Sequence, residues 1–230
     1  ASDTRTTMIE AQRITFRWGP RPESAAELGK RLHDALNWGA QVGALKGSWT
    51  TTQGKPPEVK RPEIVPCTSP AALEAAIAEG SFRAKPDAPV TTIEASAFLG
   101  TFRKHKASLR LLSFPEERDK PHLDRAILCL YEPLDAEQLR KLFIGWIAVF
   151  RPAYGFVALH RRPLDGAPLR AGWLTFFDPS FAAPSSLPSE AVVSSLGGLG
   201  TVIQASPRLM DLRLPADRKA LADLQAALHG

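Results

Sequence analysis

A reactive centre in this chain would have to be assembled from five histidines, two cysteines and its carboxylates. The histidines, His33, His105, His122, His160 and His229, form no His-x-x-x-His or His-x-Glu pair, and neither Cys67 nor Cys129 has a partner at metal-ligand spacing, so no zinc or other metal site is expected. Nothing reads Gly-x-Ser-x-Gly, which leaves no strained elbow to present a serine nucleophile. Gly197-Gly198-Leu199-Gly200 precedes a strand pattern and has no lysine placed to hold phosphate, so it reads as a bend and not as a nucleotide loop. His160-Arg161-Arg162 is the most suggestive grouping, because an imidazole beside two guanidinium groups at a strand end has the chemistry to handle a phosphodiester. No nucleophile or metal ligand accompanies it. Glu116, Glu117 and Asp119 sit between prolines and beside Arg118 and Lys120, where solvation keeps carboxylates ordinary.

Surface chemistry is the remaining possibility. Basic residues gather at Arg103-Lys104-His105-Lys106 and at His160-Arg161-Arg162, in strand ends or loops from which they could pair with an anionic surface. A nucleic-acid reader would add a basic recognition helix, and the long helix here carries only Arg140 and Lys141, so nucleic-acid binding is not the expected function. Among five tryptophans, Trp18, Trp146 and Trp173 lie in strong apolar patterns and are expected in the core. Trp38 falls off the apolar stripe of its helix and Trp49 begins a loop, which makes both candidate interface anchors.

These residues must be positioned by strands and helices whose periods are readable. Ile14, Phe16 and Trp18 alternate with polar residues as a strand covered on one face. Ser24 and Glu27 have capping-box spacing, and Leu28, Leu32, Ala35, Leu36 and Gly39 then form one helical stripe, ended by Gly43 and Gly47. Residues 50–62, rich in threonine, proline and charge, read as an exposed connection, and Ser69-Pro70 opens a second helix closed by Gly80. Residues 82–88 read as another loop. Strands are expected over 90–95, 108–114 and 126–131, the last two as antiparallel neighbours joined through the turn at 115–121, with 126–131 central because it is apolar throughout. Asp135 and Gln138 then start a helix with Leu139, Leu142, Phe143, Trp146, Ile147 and Phe150 on one face, which must lie on a sheet. Further strands over 155–160, 172–177 and 201–205 precede a closing helix over 215–228.

Runs of strands punctuated by helices predict an α+β fold, a mainly antiparallel sheet packed with helices, in one domain over 1–230. With 44% hydrophobic and 23% charged residues the chain is expected to fold on its own, and its longest apolar run, Leu142 to Phe150, falls far short of the ~20 residues that span a bilayer. The polar start Ala1 to Thr7 lacks the layout of a secretory signal, and two cysteines in strand-like segments read as reduced core residues, so a cytoplasmic location is expected. The net charge of +5 permits an acidic partner without demanding nucleic acid.

Two segments resemble a known family. Ile14-Thr15-Phe16-Arg17-Trp18-Gly19-Pro20-Arg21-Pro22-Glu23-Ser24, running into the Leu28/Leu32/Leu36 helix, looks like the start of bacterial immunity protein 52 sequences. Ala171-Gly172-Trp173-Leu174-Thr175-Phe176-Phe177, then Gly198-Leu199-Gly200-Thr201-Val202-Ile203 and a terminal helix, is similar to that family's final third. Residues 55–120 match nothing in it. The resemblance implies a non-enzymatic protein, needing no cofactor, that binds and neutralises a cognate toxin, of a restriction-endonuclease-like nuclease class delivered by type VI secretion. Candidate toxin contacts, chosen for exposure and anchor chemistry, are Arg21, Trp38, Trp49, Arg103, Lys104, Arg161 and Arg162. The rival readings are a nucleic-acid-binding module and a phosphodiesterase-type enzyme built around His160-Arg161-Arg162.

Overall fold

The computed structural model describes residues 11–19, 21, 23–53, 63–80, 82–83, 90–101, 104–113, 124–159, 170–181, 184 and 186–228. Alternation in Arg13-Ile14-Thr15-Phe16-Arg17-Trp18 makes strand β1 (Gln12–Trp18), and the capping box at Ser24 starts helix α1 (Ala25–Gln41). The Ser24 hydroxyl accepts from the Glu27 N–H at 3.3 Å while the Glu27 carboxylate accepts from the Ser24 N–H at 2.7 Å. Then come β2 (Trp49–Gln53), β3 (Glu63–Pro66), α2 (Pro70–Gly80), β4 (Phe82–Arg83), β5 (Val90–Thr101), β6 (Lys104–Ser113) and β7 (Asp124–Leu130). Helix α3 (Ala136–Phe150), β8 (Tyr154–Leu159), β9 (Leu174–Phe177), β10 (Val192–Ser195), β11 (Thr201–Gln204) and α4 (Pro215–Ala227) complete the chain.

The strands join in the order β10-β11-β9-β8-β1-β7-β6-β5-β2-β3, with β4 paired to the start of β5. Each described pairing is antiparallel, so the fold is α+β in a single domain, as the succession of strands predicts. The neighbours β6 and β7 pair with Leu109 opposite Leu128, and β7 lies between β1 and β6 in the middle of the sheet.

Helix α3 presses its apolar face on β1. Phe143 stacks on Phe16 at a centroid distance of 5.1 Å, Phe150 stacks on Trp18 at 6.0 Å, and Trp146 meets Phe150 edge-on at 5.6 Å. All of these rings are at most 2% exposed, and burying each contributes roughly 1.5–3 kcal/mol. The Asp135 carboxylate caps the helix start by accepting from the Gln138 N–H at 2.8 Å. At the other end Arg151 turns into the left-handed region, with φ 44°, and the last carbonyls are met by two guanidinium groups. Arg21 donates to the Phe150 carbonyl at 2.8 Å, and Arg31 donates to that of Val149 at 2.9 Å while pairing with the buried Glu23 at 2.7 Å. Cations there complement the negative end of the helix dipole.

Helices α1, α2 and α3 pack together at short range because small residues face the contacts. A Cβ on Gly29 of α1 would lie 2.9 Å from the Glu74 backbone nitrogen of α2. Trp146 of α3 donates to the Ala35 carbonyl of α1 at 2.9 Å. Helix α4 is anchored differently. Asp217 in its first turn accepts from both Arg208 nitrogens, at 2.8 and 2.6 Å, and from the Asp211 N–H at 2.6 Å. Those Arg208 bonds hold the Asp217 carboxyl below the usual carboxylate range, against the cost of burial.

Several expectations need correction. Residues 50–53 belong to strand β2, where an exposed connection was predicted from residue 50 to 62; residues 54–62 lie outside the described set. Threonines hid β2, because Thr51 is buried and satisfies its hydroxyl on the Ser96 carbonyl at 2.6 Å, so no apolar alternation marks the strand. Phe82 and Arg83, expected in a loop, pair with β5, and β5 itself runs six residues past the expected end at 95. Edge strand β10 was missed because its valines are exposed and give no half-buried pattern. Cys67 follows β3 and is not in a strand, whereas Cys129 is in β7; both are free thiols. The turn expected at 115–121 lies outside the described residues.

Two predictions follow from this packing. A Cβ on Gly145 of α3 would fall 1.9 Å from the indole nitrogen of Trp38. On helix propensity alone Gly145→Ala would stabilise by about 1 kcal/mol, but the overlap costs about 1–3 kcal/mol, so the thermal midpoint falls. In a Trp38→Ala background the same change raises it. Asp217, whose carboxyl titrates low in the folded chain, stabilises above its unfolded pKa of about 3.9, and that contribution is lost as pH falls through the lower folded value. Asp217→Asn therefore lowers the midpoint at neutral pH, and its gap from the wild type closes in acid melts below about pH 4; a gap that persists there contradicts the assignment.

Candidate functional site

Because Ile14, Phe16 and Trp18 point at α3, the intervening Arg13, Thr15 and Arg17 must point to the opposite side of the sheet. Register carries this parity across the neighbouring strands. Arg17 stands opposite Arg125 of β7, Arg13 opposite Cys129, and Arg110 of β6 opposite Ile127. Three adjacent strands thus bring Arg13, Arg17, Arg110 and Arg125 onto the face that α1 to α3 do not cover. Arg110 is exposed, and Arg13, Arg17, Arg125, Ile127 and Cys129 are half-buried. Register also puts Glu94 of β5, opposite Leu112, at a position of this face.

Toward β5 the arginines adjoin an aromatic group. His105 lies between Phe98 and Tyr131, with centroids at 5.1 and 5.0 Å and ring planes inclined by 59° and 79°. The Tyr131 hydroxyl is 3.4 Å from that of Ser108. Toward β9 the same face is covered: Tyr154, Phe156, Thr175 and Phe177 are buried, Phe181 packs on Phe177 at 5.8 Å, and the Tyr154 hydroxyl donates to the Arg170 carbonyl. Burial raises the Tyr154 pKa well above that of a free phenol. At the far end of the β6–β7 pair, a cleft of about 220 Å³ has Leu45, Leu99 and Leu130 in its walls and Lys46, Lys106 and Glu132 among its lining. Lys106 and Glu132 pair there at 3.0 Å.

The residues picked from sequence are not brought together. Arg21 is engaged in the clamp on α3 and lies over the Trp18 ring, 4.8 Å from its centroid. Trp38 packs between α1 and α3 and donates to the Lys141 carbonyl at 3.1 Å, so it is a helix-to-helix contact and not a projecting anchor. Trp49 was chosen for exposure and is 7% exposed, because it begins a strand and pairs with Leu99. Lys104 starts β6, its backbone opposite Thr101. Arg103, His160, Arg161 and Arg162 lie outside the described residues.

Among the described residues no group of three or more histidines, cysteines or carboxylates stands close enough to hold a metal. Burial pushes the Cys67 thiol up to about 12, so it is a poor thiolate at neutral pH. Sequence reasoning did not place these four arginines on one face. The signal was present in β1, where arginine and threonine alternate with large apolar residues, but only pairing with β6 and β7 makes them one surface.

No protein-family model matches the chain, and no curated protein matches it. Solved structures do. The Pseudomonas aeruginosa T6SS protein PA0821 shares the fold with a TM-score of 0.58 and 15% sequence identity, over 94% of this chain and 76% of that one. T6SS denotes the type VI secretion system.

Proposed function

We propose that this chain is an immunity protein of a type VI secretion system. It binds a cognate toxin, a restriction-endonuclease-like nuclease effector, in the cytoplasm and neutralises it without carrying out a reaction of its own. The observation that carries this reading is the fold shared over 94% of the chain with a T6SS protein. The resemblance of segments 14–24, 171–177 and 198–203 to immunity protein 52 sequences supports it. Lys104, Arg103, Arg161 and Arg162 remain contact candidates under this reading, whereas the engaged Arg21 and the packed Trp38 and Trp49 are weaker ones.

Co-expression with the product of the adjacent gene tests the reading. A complex that survives gel filtration, together with restored growth of cells making the toxin, is the expected outcome. Absence of a complex with growth still arrested overturns it, as does metal-dependent phosphodiester cleavage by the purified chain alone.

A further inference from the structure

We infer that the free edge of β10 is a self-association site, at which a second copy of this chain adds its own β10 antiparallel across a two-fold axis. Self-pairing goes beyond the immunity reading and does not depend on it. Strand β10 ends the sheet, with β11 on one side and no strand on the other among the described residues. The ladder shows which of its backbone groups are used. Leu196 donates to the Gly200 carbonyl at 2.8 Å, and hydrogen-bonded positions alternate in an antiparallel pair, so Ser194 bonds with Val202 and Val192 with Gln204. The Ala205 N–H on the Trp173 carbonyl at 2.9 Å fixes the same alternation on the far side of β11, where Ile203 and Thr201 bond with β9. The N–H and C=O groups of Val193 and Ser195 therefore point away from β11, two donors and two acceptors in one row.

Side chains leave the same edge open. The covering layers stop one strand short: Val202 and Ile203 of β11 are 3% and 1% exposed, whereas Val192 and Val193, which face opposite sides of the sheet, are 44% and 52% exposed. Natural edges are guarded by charge, proline, a bulge or shortness. Residues 191–207 contain no ionisable side chain, β10 contains no proline, and its register with β11 runs without a break. Only shortness remains, which limits the strength of pairing. The other end of the sheet differs, since β3 carries Glu63 and Pro66.

An occupant of this edge must be an extended strand, because only a strand spaces donors and acceptors to match the row. It must also be neutral, because a charged strand would meet valines and no opposite charge. A second β10 has both properties. With the axis through Ser194, Val193 stands opposite Ser195 of the second copy, and the four free groups of each chain close four interchain hydrogen bonds. In that register Val192 meets Leu196 of the second copy, and no charged residue lies within the paired stretch 192–196. The contact is isologous, the form of the commonest homodimers. Four residues span only about 13 Å, so the buried area stays below the ~1,200 Å² of a stable complex and the dimer is weak, half-formed at roughly 0.1–1 mM.

Sedimentation equilibrium of the full chain from about 10 μM to about 2 mM tests this for the wild type, Val193→Lys, Val193→Pro and Ile64→Lys. Lysine charges the edge, and proline removes an N–H that the fold does not use, a change edge strands accept. Ile64→Lys is the control, an equally exposed apolar residue on β3. We expect a monomer–dimer equilibrium weakened about tenfold or more by either change at Val193 and altered less than about twofold in the control. Raising the salt leaves it unchanged or tighter, because screening relieves repulsion between chains of net charge +5 while the edge is neutral. Hydrogen exchange reads the strand itself. The Val193 and Ser195 amides slow about threefold between dilute and concentrated protein, whereas the Ser194 amide is slow in both. Circular dichroism verifies that the variants fold.

A wild type that stays monomeric at the highest concentration, a dimer that folded Val193 variants keep, or equal loss in the control overturns the inference. So does protection of the Val193 and Ser195 amides by the adjacent-gene product in a chain that does not self-associate, which gives the edge to a different protein. Each of these results leaves the immunity reading standing.

Discussion

The contact between the α3 aromatic face and every second residue of β1 governs the molecule. Phe16 against Phe143 and Trp18 against Phe150 leave one possible parity for β1, and the side-chain period of a strand is two. A slip of one residue would drive Arg13, Thr15 and Arg17 into the helices and turn three large apolar groups to the other side. Because β7 and β8 pair with β1 on both sides, and β6 pairs with β7, that parity spreads across the sheet. The identity of the outward face is therefore a consequence of core packing.

Arginine has two separate uses in this architecture, and position decides between them. Arg21 and Arg31 turn toward the last carbonyls of α3, where a guanidinium satisfies acceptors that the helix leaves open. Arg13, Arg17, Arg110 and Arg125 stand on strands, where the pleat directs them away from the helices. Arg13, Arg17 and Arg125 are half-buried there, and Arg110 is exposed. Side-chain type alone does not distinguish these uses, which is why Arg21 stood among the candidate contacts and Arg17 did not.

Much of the frame was legible from local pattern. The capping box at Ser24, the cap at Asp135 and the helical stripes of α1 and α3 announced those helices, since caps and periodicity are local properties of the chain. The strands that escaped notice lack such a mark. Thr51 buries a hydroxyl satisfied by a carbonyl on another strand, and Val192 and Val193 lie on an exposed edge, so neither shows the alternation a covered strand displays. Trp49 misled for a related reason: its burial comes from β5, whose place beside β2 is not encoded near residue 49.

Sequence by itself determined the α+β class, the three longer helices α1, α3 and α4, and the central place of β7. Only the tertiary structure decided which basic residues stand together and which tryptophans are covered. Helix caps and apolar periods act within a few residues, whereas the shared face of Arg13, Arg110 and Arg125 depends on register between strands separated by about a hundred positions in the chain. That register is set by burial of the other face, which no local stretch of sequence contains.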